Sequence, residues 1–152
     1  MMDQQAAPTD LAPEEMVWWD RGWRPHSDVP FIELIGPIWE RADGEPGRFG
    51  FLAQPKHRNV RAVVHGGMLM AFADRALGLT SRRANDDQPQ ATVQIDFQLL
   101  DAVQVGDFVE ATCLVSRRTR FLMFMSGTLT VGPKVVLTVT GIWKTLRSNP
   151  PV

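Results

Sequence analysis

Hydrophobic and polar positions repeat with two different periods along this chain, and the change of period lays out its elements. Ala91, Val93, Ile95, Phe97 and Leu99 interleave with Thr92, Gln94, Asp96 and Gln98, the period of two that marks a half-buried strand. Three more extended runs follow, Phe108 to Arg117, Phe121 to Val131 and Lys134 to Leu146, separated only by Thr119 between two arginines and by Gly132-Pro133. Connections that short predict an antiparallel, four-stranded meander. Ahead of it, His65 to about Arg83 carries no turn signal, and Met68-Leu69-Met70-Ala71-Phe72-Ala73 continues through Ala76, Leu77 and Leu79 with apolar residues on every side of a helical wheel. A helix apolar all round must be buried all round.

The N-terminal third is less regular. Residues 1–12 are small, polar and proline-containing, the composition of a flexible leader. From Pro13 to Gly22 a short helix is expected, with proline in its first turn, acids after it and Trp18, Trp19 and Trp23 as its payload. Phe31 to Ala42 reads as extended, and the turn Asp43-Gly44-Glu45-Pro46-Gly47 leads back through Arg48 to Gln54 as a hairpin. The boundaries that follow are a leader with a Trp-rich helix over 1–30 and one domain over 31–147. The fold class is α+β: short helix, hairpin, long buried helix, strands. A single curved sheet covers one side of such a helix, so its remaining apolar face calls for a second subunit.

Composition narrows the function. With 152 residues, 44% hydrophobic and 22% charged, the chain suits one globular core, and no apolar run approaches the roughly 20 residues of a membrane span. The start, Met1-Met2-Asp3-Gln4-Gln5, lacks the basic and apolar regions of a secretory signal, and Cys113 stands alone in an alternating stretch as a packed strand residue. Both suit a reducing cytoplasm. A formal net charge of −1 gives no field to collect nucleic acid, and no zinc-type Cys/His spacing occurs. Local arginine clusters do occur, at Arg82-Arg83 and at Arg117-Arg118 with Arg120. They complement a helix C-terminus and a hairpin edge, or they hold an anion.

Candidate chemistry gathers where the buried helix begins. In Asn59-Val-Arg-Ala-Val-Val-His65-Gly66-Gly67, two glycines at a helix N-terminus let a ligand approach unpaired backbone N–H groups at the positive end of the helix dipole. That arrangement can serve as an oxyanion hole or simply as a tight entry turn. Asp74 then stands in mid-helix beside Met70, Ala71, Leu77 and Gly78, a carboxylate with no cation on its face. Eight residues separate it from Gly66, about 12 Å along the axis, too far for both to touch one carbonyl. Two such helices antiparallel about a twofold axis would bring Asp74 of one chain to the Gly66 end of the other.

Asn59, His65-Gly66-Gly67, Asp74-Arg75-Ala76 and the later strand resemble the hotdog-fold thioesterases of the phenylacetate-degradation, PaaI-like type, which include the acyl-CoA thioesterase 13-like proteins. The resemblance spans about residues 31–146. It implies a hotdog fold and a homodimer with shared sites, with dimers able to pair into tetramers, that hydrolyses a small or medium acyl-CoA without metal or cofactor. It also implies that Asn59 and the N–H of Gly66 or Gly67 polarise the thioester carbonyl while Asp74 of the partner activates water or attacks directly. Thr92 falls where the family often carries a water-orienting hydroxyl, yet it lies on the polar register of its strand. His65 shapes the helix entrance or borders the thioester, and the hairpin arginines Arg117, Arg118 and Arg120 are placed to meet CoA phosphates. His26 and His57 have no comparable setting. Competing readings on the same fold are an acyl-thioester hydratase or dehydratase, whose motifs are absent, and an acyl-CoA-binding protein without turnover.

Overall fold

In a computed structural model that describes residues 6–147, one antiparallel sheet wraps one long helix; residues 1–5 of the expected leader lie outside that range. The elements in chain order are α1 (Pro13–Asp20), β1 (Trp23–His26), α2 (Pro30–Ile35), β2 (Ile38–Arg41), β3 (Arg48–Leu52), α3 (Gly66–Ala84), β4 (Gln90–Leu99), β5 (Phe108–Arg118), β6 (Leu122–Val131) and β7 (Lys134–Thr145). A short 3-10 turn, Pro55–His57, precedes the helix entrance. The seven strands run β1-β2-β3-β5-β6-β7-β4 across the sheet.

Two expectations need correction. The run from Phe31 to Ala42 is not one extended segment: it divides into helix α2 and strand β2. Pro30 supplies a pre-set first helical residue, Glu33 sits in the first turn, and Ile32 and Ile35 meet the core at a spacing of three rather than two. The second correction concerns strand order. β5, β6 and β7 do form a meander, but β4 pairs with β7 at the far edge and β5 pairs instead with β3. Residues 100–107, between β4 and β5, are long enough to carry the chain away from a hairpin, whereas the turns after β5 and β6 are not.

The sheet has two distinct faces. Phe49, Phe51, Val109, Ala111, Met125, Leu129, Leu137 and Val139 are buried with Leu69, Phe72, Ala73, Ala76 and Leu77 of α3 in the main core. On the other face Trp23, Trp39, Leu52 and Phe108 form a second cluster. Helix α1 closes it, for the Trp18 ring stacks on Phe108 with centroids 3.8 Å apart and the Arg24 guanidinium lies 3.8 Å from the Trp19 ring centroid. Trp23, expected on the short helix, belongs instead to strand β1, because Gly22 at positive φ ends the helix turn before it, and Trp18 and Trp19 of α1 pack against the sheet. Strand β1 tolerates Pro25 because it is an edge strand.

Helix α3 is not covered on every side. Phe72, Ala73, Ala76 and Leu77 are fully buried, but Gly67, Met70, Ala71, Asp74, Arg75 and Gly78 make a partly or fully exposed stripe at helical spacing. Strand β4 is equally open: Val93 and Leu99 are 58% and 45% exposed, and only Ile95 and Phe97 pack against the core.

The turn between β2 and β3 offers a test of this packing. Gly44 and Gly47 both have positive φ, at 74° and 72°, but a Cβ on Gly44 would meet nothing within 4 Å whereas one on Gly47 would lie 2.3 Å from the carbonyl oxygen of Cys113. Gly44→Ala should cost about 1–2 kcal/mol, the strain of a left-handed alanine. Gly47→Ala should cost clearly more, because backbone must also move. Urea unfolding of the two variants measures the difference, and equal costs would show that the β3–β5 junction is looser than its geometry.

Candidate functional site

The entrance to α3 is assembled by its loop. Asn59 closes a tight turn in which its N–H donates to the Val63 carbonyl at 2.8 Å, its carbonyl accepts from Ala62 N at 3.0 Å and its Oδ1 accepts from Arg61 N at 2.8 Å. Among the described residues its Nδ2 makes no hydrogen bond. His65 is the N-cap, and its Nδ1 accepts from the Gly67 N–H at 2.8 Å. The ring thus uses Nδ1 as an acceptor and occupies Gly67, so Gly66 keeps the unpaired backbone N–H. Asn59 and Gly66 line one depression, together with Leu99 and Leu100.

His57 fixes the loop from behind. Its Nε2–H donates to the Ile35 carbonyl at 2.7 Å, its Nδ1 accepts from Gln54 N at 3.0 Å and its own carbonyl accepts from His65 N at 2.7 Å. Burial lowers its pKa below the ordinary histidine range, with the Ile35 carbonyl partly offsetting that effect.

Asp74 lies in a second depression, with Arg75, Gly78, Arg82, Gln90, Thr92 and Trp143. The Thr92 hydroxyl donates to Asp74 Oδ1 at 2.9 Å. Among the described residues no cation is paired with Asp74; the neighbouring Arg75 instead spends Nε and one Nη on Asp28, at 2.9 and 2.5 Å. Thr92 reaches the helix because the β4–β7 register shifts between Thr92 and Gln94. The extra residue, Val93, reverses the alternation, so Thr92 shares the helix side with Ile95 and Phe97.

The structure brings Asp74 and Thr92 together, and Asn59 with His65, Gly66 and Gly67, but it leaves the two groups apart on one chain. The hairpin arginines belong to neither depression. Arg118 donates to the Ala84 carbonyl at 2.9 Å and to Asp86 at 2.8 Å, closing the C-terminus of α3. Arg120 lies 5.0 Å from the Phe121 ring centroid. A β5 irregularity between Val115 and Arg117 puts Arg117 opposite Phe124 and Arg118 opposite Met123, so the pair points to opposite faces of the sheet. Cys113 is buried, and burial pushes its thiol up to about 12, which leaves no thiolate to act.

Sequence reasoning missed Asp28, His57, Gln90 and Trp143. No local pattern signals them: Asp28 pairs with Arg75 across 47 residues, His57 reaches the Ile35 carbonyl across 22, and Gln90 and Trp143 meet the helix only when β4 and β7 fold over it.

The sequence profile of the thioesterase superfamily matches residues 62–137, half of the chain. The chain belongs to the thioesterase superfamily. A Pseudomonas aeruginosa protein named as an esterase candidate is 28% identical over 116 residues, which cover 75% of this chain and 87% of that relative. Among solved structures, a mutant of the phenylacetic acid degradation protein PaaI from Thermus thermophilus superposes with a TM-score of 0.69 at 23% identity, covering 78% of this chain and all of the other. A hypothetical thioesterase from Streptococcus pneumoniae, solved with coenzyme A, gives a TM-score of 0.61 at 18% identity over 65% of this chain and 77% of its own. At these identities the structures show a shared hotdog fold.

The His57 geometry sets a pH dependence of folding. Its folded pKa is depressed, so its contribution is fully present above the unfolded value of about 6.5 and is lost as pH falls through the folded value. Unfolding in urea at about pH 7.5 and about pH 5.5 should show a smaller loss for His57→Gln than for the unaltered protein. An identical loss would mean that the ring is not held neutral under the loop.

Proposed function

We propose that this protein is an acyl-CoA thioesterase that hydrolyses a small or medium acyl-CoA to the free acid and CoA, and that it works as a cytoplasmic homodimer. The observation that carries the reading is the division of the site: a carboxylate that has a hydroxyl partner and is paired with no cation among the described residues lies in one depression, and free N–H donors lie in another. One chain cannot bring both to a single carbonyl, since Gly66 and Asp74 are about 12 Å apart along α3. The open stripe of α3 and the exposed edge of β4 support pairing about a twofold axis.

In this reading the Gly66 N–H and the Asn59 amide receive the thioester oxygen of one site, where the helix dipole favours the charge that develops in the tetrahedral state. Asp74 of the other subunit acts on water as general base or attacks the carbonyl carbon itself, with Thr92 fixing one carboxylate oxygen and leaving the second free. The C–S bond then breaks and CoA leaves as its thiol. His65 caps α3 and keeps Gly67 occupied, so its part is to shape the entrance. Arg117 and Arg120 are the hairpin cations still available for CoA phosphates, Arg118 being engaged with Ala84 and Asp86.

Asp74→Asn should lower thioester hydrolysis at least about a hundredfold, the usual worth of a positioned base, while acyl-CoA still binds. Thiol release and calorimetric binding measure the two parts. Near-normal turnover would overturn the assignment, and a product with the thioester intact would favour a hydratase or dehydratase.

Subunit mixing tests the shared site separately. Asn59→Ala and Asp74→Ala dimers should each be inactive, yet after exchange half of all dimers are mixed and each carries one intact site of two. Activity should recover to about a quarter of the unaltered level. No recovery, with mixed dimers demonstrated by mass spectrometry, would defeat the cross-subunit arrangement.

A further inference from the structure

The depression beside Asp74 is rich in hydrogen-bond donors and poor in acceptors. Gln90 presents a buried Nε2 with no partner, while its Oε1 is taken by the Ser81 hydroxyl at 2.7 Å. Arg75 uses Nε and one Nη on Asp28 and has its other Nη without a partner among the described residues. The Trp143 Nε1, facing Gly78 at a distance where a Cβ would lie 3.4 Å away, likewise makes no hydrogen bond among them. The Asp74 carboxylate, the charged acceptor in the depression, takes the Thr92 hydroxyl on Oδ1 and keeps Oδ2 for the reaction. Unpaired donors on residues that line one cavity call for an acceptor, which a ligand can bring.

Arg82 gives that acceptor its charge. Asp74, Gly78 and Arg82 follow one another at intervals of four on α3 and so share a face, and all three line the depression, Arg82 at its C-terminal end. Among the described residues its side chain's polar contacts are to Asp87, a 3.3 Å hydrogen bond to the carbonyl and a 3.7 Å approach to a side chain that is 72% exposed. Both groups are solvated, so the pairing is weak and readily exchanged. Arg75 is different: Asp28 is buried and already neutralises it, so Arg75 offers direction more than net charge.

We propose that this depression selects acyl groups that end in a carboxylate, so that the substrate is the CoA thioester of a short dicarboxylic acid, with Arg82 as the specificity-determining cation and Gln90 and Arg75 as positioned donors. The inference rests on the thioesterase reading and adds its substrate class. The reaction itself is unchanged: water adds to the thioester carbon, the C–S bond breaks, the thiol takes the proton, and the distal carboxylate remains bound but unreacted.

Glutaryl-CoA and valeryl-CoA, equal in carbon number and differing in the terminal charge, are the probes, each also prepared on N-acetylcysteamine, which lacks every phosphate. The protein should favour the glutaryl over the valeryl thioester in kcat/KM by at least about tenfold on both carriers, within the range one pocket contact supplies. Arg82→Gln, at a side chain 58% exposed and so safe for folding, should reduce that ratio by about tenfold on both. A valeryl preference, equal rates, or a glutaryl preference that Arg82→Gln leaves intact would overturn the proposal while leaving the thioesterase reading in place. An Arg82 effect confined to the CoA thioesters would overturn it too, by assigning the cation to a CoA phosphate. Hydrolysis of none of the four compounds would instead remove the thioesterase reading.

Discussion

A nineteen-residue helix laid across one curved sheet can bury only one of its sides, and this constraint organises the rest of the molecule. The buried side of α3 carries Met68, Leu69, Phe72, Ala73, Ala76, Leu77 and Leu79, whose burial holds helix and sheet together. The other side carries mostly small or polar residues, Gly67, Ala71, Asp74, Arg75 and Gly78, with Met70 among them, along a stripe that the chain leaves partly open. Chemistry can occupy that stripe because no hydrophobic packing competes for it. The same constraint divides the site, for the free N–H groups of a helix lie at its end whereas a side chain with fixed surroundings must lie further along.

Most of this plan was readable from periodicity. The all-round apolar pattern of α3, the meander from β5 to β7 and the short Trp-bearing helix follow from spacing and turn residues. Asp74 was conspicuous because a carboxylate in an apolar helix needs a reason. Thr92 was not legible in the same way. Strict alternation places it with Gln94, Asp96 and Gln98, away from the helix, and one extra residue at Val93 turns it inward. A bulge leaves no composition signature here, so a period-two reading assigns every residue before it to the wrong face. The order of the sheet escaped for a related reason: pairing partners across a long connection are chosen by tertiary packing, and β4 finds β7 instead of its sequence neighbour β5.

The N-terminal segment shows what spacing cannot reveal. Arg75 and Arg83, two turns apart on α3, reach Asp28 and Glu40, and His26 lies against both carboxylates, with Nδ1 2.8 Å from Glu40 and Nε2 3.7 Å from Asp28. Burial pushes the Glu40 carboxyl up, yet Arg83 and His26 together hold it below the ordinary range. Asp28 is almost wholly buried, its side chain 1% exposed, and a carboxylate in that position is tolerable only with its arginine in place. The chain before residue 30 is therefore joined to the helix that carries Asp74 through charges that no sequence window contains.

The proposed division of labour at the site follows from how each group is held. His65 satisfies the Gly67 N–H with its own ring, which removes one of the two candidate backbone donors and leaves Gly66 as the one that a substrate oxygen can reach without displacing a cap. An N-cap also costs the helix nothing in exposed dipole, so the positive end stays directed at whatever occupies the depression shared by Gly66 and Asn59. His57, behind the loop, makes that arrangement rigid by holding both the 3-10 turn and the backbone of His65. Donors fixed in this way need no reorganisation when charge develops on a carbonyl oxygen, which is the condition under which hydrogen bonds favour a transition state over a ground state. Asp74 has the opposite requirement. A group that must take a proton or form a bond needs one oxygen fixed and the other free, and the single Thr92 hydrogen bond, with no cation to hold the second oxygen, meets that requirement.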